Sequence, residues 1–299
     1  MFKPQGIIPA LITPFLANGK IDEETLRTMI QRQITSGVHG IFVLGTNGEF
    51  FSLHEDEKVE LVKIAADEIK GKVPLYAGSG AITTEESVRL SQKLEKVGAD
   101  VLSVITPYFV PINQEELATH YKAVAASTSL PIVLYNIPAR TGIMLEASTV
   151  AQLSHIENIV GIKDSSGNYE HLLQLIDQAS DEFAVLAGTD SFILSALLAG
   201  GSGAIAASAN VSPSLVVSIY DYYQAGKLTD ARRAQSEIAE IRKLMKMGTV
   251  PAALKEVMRQ LGYGNGLPRL PVLPADVQTK TVIENSLRTS SLQHLKAHV

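Results

Sequence analysis

The sequence contains no cysteine, which removes disulfides, iron–sulfur clusters and thiol nucleophiles and favours a cytoplasmic compartment. It also lacks any block of like charge. Its 26 Lys and Arg residues are interspersed with 31 Asp and Glu, for a formal charge of -5, so no basic stripe is available for nucleic acid. Apolar runs stop well short of the roughly 18 residues that mark a membrane span. Near the N-terminus, Pro9 and Pro14 interrupt the apolar stretch that an export signal would need. Neither a nucleic-acid nor a membrane partner is therefore expected. Familiar catalytic signatures are missing too: no strand-like run leads into G-x-G-x-x-G, no serine sits in G-x-S-x-G, and the histidines at 39, 54, 120, 155 and 171 lack HExxH or other short paired spacing. His294 and His298 are four apart, but their place near the chain end reads as a solvated tail.

What is present is a repeat. With 45% hydrophobic residues over 299 positions, the chain can bury a large core. Short β-branched runs at 7–13, 40–44, 74–77, 101–105, 131–136, 159–163, 184–187 and 203–207 alternate with amphipathic segments. One such segment, 22–36, carries Leu26, Met29, Ile30 and Ile34 on one face. Several of the runs are uninterruptedly apolar, as in a parallel sheet covered on both faces. An open doubly wound sheet could use the same units. Without a dinucleotide-binding turn, the repeat favours an α/β fold of the closed (β/α)8 TIM-barrel type. Three helical segments follow, at about 229–247, 250–261 and 275–287, separated by Gly- and Pro-rich breaks. The expected organisation is a barrel over 1–225 and a helical extension over 226–299 packed against it.

Barrel chemistry lies at the carboxyl ends of the strands. The sixth run, Asn158-Ile159-Val160-Gly161-Ile162-Lys163-Asp164, ends in a lysine; the fifth, Pro131-Ile132-Val133-Leu134-Tyr135-Asn136, ends in a tyrosine. An ammonium at a strand end ordinarily snorkels to water. Among apolar strand ends, however, an amine is poorly hydrated, and the neutral amine is the form that attacks a carbonyl. A phenol on the neighbouring strand could move protons during that attack, which suggests imine chemistry. The loop Gly45-Thr46-Asn47-Gly48-Glu49 precedes a helical pattern, so its N–H groups and the Thr46 hydroxyl form a candidate cradle for a carboxylate. An ordinary strand-to-helix turn is the alternative. The other strand ends offer Thr13, Gly78-Ser79-Gly80, Tyr108-Phe109, Arg140, Gly188-Thr189-Asp190 and Ser208-Ala209-Asn210. Gly200-Gly201-Ser202-Gly203 resembles a phosphate loop but precedes the eighth strand, which places it at the opposite, stabilising face.

Taken in order, Gly45 to Glu49, Tyr135-Asn136-Ile137-Pro138-Ala139-Arg140-Thr141-Gly142 and Gly161-Ile162-Lys163-Asp164-Ser165 resemble the dihydrodipicolinate synthase and N-acetylneuraminate lyase family of class I aldolases. The resemblance spans nearly the whole chain. It implies a (β/α)8 barrel with a C-terminal helical extension, assembled as a homotetramer. It also implies that Lys163 forms a Schiff base with pyruvate or another 2-oxo acid, that Tyr135 relays protons and that the Thr46-Asn47 loop grips the carboxylate. The backbone near Ile205 would face the imine. Lys163, Tyr135 and Thr46 are thus the expected catalytic residues, with Thr46, Asn47, Arg140, Ile205 and Gly188 as substrate contacts. No metal or organic cofactor is implied, because the protonated imine is itself the electron sink.

Departures from the pattern leave the second substrate open. Arg140 stands where synthases hold the acceptor's carboxylate, and a planar guanidinium suits that contact. Against a synthase, Phe109 replaces a tyrosine that would cross a subunit contact to extend the proton relay, and a phenyl ring passes no proton. Asn47 replaces a second threonine, as in 4-hydroxy-2-oxoglutarate aldolases, and Gly48-Glu49-Phe50 is similar to 2-keto-3-deoxy sugar acid aldolases. A sugar acid dehydratase and a non-catalytic small-molecule-binding paralogue remain further alternatives. The lysine feedback site of bacterial synthases would map near Glu55, Lys58, Ile82, Glu86 and Tyr108; Ile82 and Lys58 depart from it, which predicts insensitivity to lysine.

Overall fold

The apolar runs form eight parallel strands in a computed structural model that describes residues 2–180 and 182–289. They are β1 (Gly6–Pro9), β2 (Ile41–Val43), β3 (Leu75–Gly78), β4 (Val101–Ile105), β5 (Ile132–Asn136), β6 (Ile159–Asp164), β7 (Ala184–Ala187) and β8 (Gly203–Ala206). Each pairs with its sequence neighbour, β1 pairs with β8, and an Ala10–Phe42 bridge beyond β1 closes the ring onto β2. The result is the (β/α)8 barrel. His294 and His298 lie outside the described residues.

Helices α1 (Glu23–Thr35), α2 (Glu55–Ile69), α3 (Thr84–Lys96), α4 (Gln114–Ala125), α5 (Pro138–Thr141), α6 (Ala147–Leu153), α7 (Tyr169–Gln178), α8 (Ile193–Leu198) and α9 (Pro213–Gln224) connect the strands or follow the last one. The periodicity of 22–36 is realised as α1: Asp22 caps it by accepting from the Thr25 N–H at 3.1 Å, and Leu26, Met29 and Ile30 are buried. Among the described residues no helix is long and apolar enough to cross a membrane.

Strand residues alternate between two cores. Leu134, Ile162 and Val104 face the helices, whereas Ile8, Phe42, Tyr76, Val101, Val133, Val160, Leu186 and Ile205 fill the barrel interior. Burial of each such side chain contributes about 1.5–3 kcal/mol, so the interior is a packed plug with open space left at its carboxyl end.

The alternation breaks once. Ile132 pairs with Ile159, but Val133 pairs with Gly161, so Val160 is an extra residue on β6. Val160 faces the interior, and strict alternation from it would turn Ile162 inward and Lys163 outward. The bulge resets the phase: Ile162 packs under the helices, and Tyr135 and Lys163 meet in register.

The first strand is shorter than its apolar run, which extends to Thr13. Backbone bonding to the neighbouring strands runs on to Leu11, whose N–H donates to the Phe42 carbonyl at 2.9 Å; beyond it side chains replace strand partners, the Ile12 N–H donating to Asn210 Oδ1 at 3.1 Å and Thr13 Oγ1 to the Gly48 carbonyl at 2.7 Å. Beyond α9, helices α10 (Leu228–Met245), α11 (Ala252–Gln260) and α12 (Val277–Thr289) begin and end within two residues of the segments read from sequence. Of these, α10 packs on α8 and α9, and α11 is buried along most of its length.

Candidate active site

Lys163 and Tyr135 are adjacent across β5 and β6 at the carboxyl end of the barrel, and both are almost fully buried. The Lys163 Nζ lies over two ring faces, 4.0 Å from the centroid of Tyr135 and 5.2 Å from that of Phe42. The Tyr135 hydroxyl is 3.1 Å from Thr46 Oγ1, so phenol and alcohol form a hydrogen-bonded pair beside the amine. The next residue on each strand points the other way and holds the pair in place. Asn136 Nδ2 donates to Asp164 Oδ1 at 2.7 Å, Asp164 Oδ2 accepts from Ser166 Oγ at 2.7 Å, and Asn136 Oδ1 accepts from the Leu145 N–H at 3.0 Å. This outward network was legible only as two polar residues at strand ends.

The 45–49 loop is held by distant parts of the chain. Leu44 and Glu49 bracket it in left-handed backbone conformations, with φ of 61° and 55°, and Thr13 clamps Gly48. The Glu49 carboxylate is fully buried; it pairs with the equally buried Lys255 of α11 and accepts from the Arg269 N–H at 2.8 Å. Lys255 also donates to the Leu267 carbonyl at 2.9 Å and lies 4.0 Å above the Phe15 ring. Burial lowers the Lys255 pKa, while Glu49 opposes that shift. The Arg269 guanidinium, hydrogen-bonded to Glu57, holds that carboxyl down at about 2. The sequence offered no spacing that joins these residues.

One feature of the loop differs from expectation. It runs into a single 3-10 turn, Phe50–Ser52, rather than directly into an α-helix, and α2 starts at Glu55. The Glu49 N–H is spent on the Thr46 carbonyl at 3.2 Å, whereas the Thr46 and Asn47 N–H groups donate to no backbone carbonyl among the described residues. The cradle therefore rests on two free amides and a hydroxyl, without an α-helix N-terminus behind them.

Lys163, Tyr135, Thr46, Asn47, Arg140, Gly188 and Ile205 all line one cavity of about 330 Å³. Arg140 reaches it from α5, a single helical turn started by Pro138. Gly188 fits because a Cβ there would fall 2.0 Å from Ser165 Oγ. Asp190 is committed to the β8 end, accepting from the Ala207 and Ser208 N–H groups at 3.2 and 2.7 Å. Sequence reading missed the far wall, which comes from the C-terminal helices and includes Arg242, Lys246 and Leu254. A second chamber of about 280 Å³ adjoins it, sharing Thr46 and Arg140 and walled by Phe50, Phe51, Ile105 and Tyr108. The Gly200–Gly203 segment leads into β8 at the opposite end, away from these residues.

The sequence model of the Dihydrodipicolinate synthetase family matches residues 3–290. The chain belongs to this family. The chain is 37% identical to 4-hydroxy-tetrahydrodipicolinate synthase of Methanopyrus kandleri, across 97% of its own length and 98% of that protein. Among solved structures it superposes on dihydrodipicolinate synthase of Thermotoga maritima with a TM-score of 0.94 at 33% identity, covering 97% of this chain and 100% of the other. A chloride-inhibited dihydrodipicolinate synthase of Acinetobacter baumannii, complexed with pyruvate, gives 0.92 at 32% identity over 95% and 98% of the two chains. Within this dihydrodipicolinate synthetase family frame, Phe109 stands apart from the cavity: it is 88% exposed, with a left-handed φ of 87°.

Proposed function

We propose that the protein is a Schiff-base-forming lyase that joins pyruvate to an aldehyde, or cleaves a 2-oxo acid aldol to pyruvate, in the manner of 4-hydroxy-tetrahydrodipicolinate synthase. The observation that carries this reading is the convergence of Lys163, Tyr135 and Thr46 on one cavity at the carboxyl end of the barrel. The Lys163 Nζ adds to the pyruvate keto carbon, and the resulting carbinolamine loses water to give an iminium. Tyr135 shuttles the protons of these steps, with Thr46 Oγ1 as its partner. The faces of Tyr135 and Phe42 stabilise the positive charge that forms at the nitrogen. The free Thr46 and Asn47 amides take the pyruvate carboxylate.

The iminium acidifies the adjacent methyl group; loss of a proton gives an enamine, whose carbon attacks the aldehyde. Water then releases the product and regenerates the amine. Run backwards, the same steps cleave an aldol. Gly188 keeps the cavity wall thin, and Ile205 closes its floor beside the imine. The barrel over 1–225 would supply the reacting groups and the extension over 226–299 the far wall.

The alternative of a 4-hydroxy-2-oxoglutarate or 2-keto-3-deoxy sugar acid aldolase is favoured by Asn47 in the cradle and by Phe109, which ends any relay through that position. We place the enzyme in the cytoplasm as a homotetramer. The cysteine-free sequence supports the first assignment, and the exposed Phe109 and Val110, at 88% and 57%, support burial against another copy.

Borohydride reduction in the presence of pyruvate, followed by peptide mapping, tests the chemistry. An adduct on Lys163, absent from Lys163→Arg because a guanidinium stays protonated, is the expected result. An adduct elsewhere, or none, would overturn the assignment.

A further inference from the structure

Beside Lys163, three more basic side chains line the main cavity: Arg140 from α5, Arg242 from the last turn of α10 and Lys246 from the residue that caps it. Among the described residues none of these three side chains has a hydrogen bond or an ion pair. The carboxylate in the same wall, Asp190, already accepts from two backbone N–H groups. The helix dipole accounts for basic residues in the last turn of α10. It does not account for Arg242 of that turn and the capping Lys246, four apart and so toward one side, both meeting the cavity that holds Lys163. Unneutralised like charges around one cavity repel, and a ligand that brings negative charge relieves that repulsion.

Pyruvate brings a single carboxylate, which the Thr46-Asn47 cradle takes. The remaining cations therefore face the second substrate. The adjoining chamber, walled by Phe50, Phe51, Ile105 and Tyr108, offers that substrate an apolar alternative, so charge is what distinguishes the α10 side. We propose that Arg242 and Lys246 form an anion subsite for the acceptor, and that the acceptor aldehyde carries two negative charges, as one phosphate or as two carboxylates. Arg140 faces the subsite from the barrel side. This inference rests on the pyruvate-imine reading above and adds the acceptor's charge class to it.

Calorimetric titration of the pyruvate-loaded protein tests it with non-reacting probes: glycerol 3-phosphate, glutarate, butyrate and glycerol. At least one of the two dianions binds about tenfold or more tightly than butyrate, as a charge-assisted contact requires, and glycerol binds weakest. Which dianion is tighter identifies phosphate or dicarboxylate as the natural group. The Arg242→Met/Lys246→Met variant keeps the apolar stems at two non-buried positions, and loses that discrimination. Equal binding of butyrate and both dianions, no binding of either dianion, or discrimination surviving in the variant would each overturn the subsite. Borohydride trapping on the same samples separates the two levels. An adduct on Lys163 without charge discrimination refutes the subsite alone, whereas absence of the adduct removes the imine reading and the subsite with it.

Discussion

Replacing Lys255 with methionine strands the Glu49 carboxylate in the interior, where the carboxylate is fully buried and the lysine side chain is 2% exposed. Removing one partner of a buried pair costs about 3–5 kcal/mol, because the remaining charge has lost its compensation. The Arg269 N–H still serves one Glu49 oxygen, which places the expected loss near the lower end, at about 3 kcal/mol. Glu49→Gln is milder: burial already lowers the Lys255 pKa, so the amine can shed its proton once its partner is gone. The Glu49→Gln/Lys255→Met double variant has no stranded charge and recovers most of the stability. Urea unfolding midpoints of the four proteins measure this cycle. Glu49 lies three residues from Thr46, so Lys255→Met also slows formation of the pyruvate adduct. A loss under about 1 kcal/mol, or a double variant as unstable as Lys255→Met, would refute the view that this pair holds the loop.

Tyr135→Phe keeps the ring over Lys163 but removes the hydroxyl that meets Thr46, so turnover falls by about 100-fold or more while the protein still folds; near-normal turnover would exclude Tyr135 as the proton carrier. Burial lowers the His120 pKa from 6.5 to about 4, so the unfolded chain binds the extra proton between those values. The fold therefore has its full stability above about 6.5 and loses roughly 3 kcal/mol as the pH falls to 4; a His120→Gln variant with the same acid profile would contradict this. Lysine at millimolar concentration leaves activity unchanged, because Glu55 is occupied by Arg89 at 3.0 Å and by Lys93 while Ile82 offers no polar group; a dose-dependent loss would show otherwise.

Eight strands were legible because each is a short apolar run between helical repeats, and the juxtaposition of Tyr135 and Lys163 was legible because they end two neighbouring runs. The β6 bulge was not, since Val160-Gly161-Ile162 is apolar throughout and shows no alternation whose break could be seen. The Glu49–Lys255 pair and the Arg269–Glu49 contact join the loop after β2 to α11 and the segment that follows it, and Arg242 and Lys246 reach the cavity from equally far along the chain. No local pattern encodes contacts of that range. Arg140 was placed in the right neighbourhood, but its single helical turn is too short to produce a periodic signal.

The extra residue in β6 divides that strand into two stretches whose facing is set independently. A change of chain length at Val160 can be absorbed at the seam, because the stretch beyond it takes its phase from Tyr135. The same change between Gly161 and Lys163 would swing the amine out under the helices and present the Asp164 carboxylate to the cavity instead. Deleting Val160 and deleting Ile162 each remove one apolar residue from the same strand, yet the first preserves the direction of the Lys163 amine and the second reverses it.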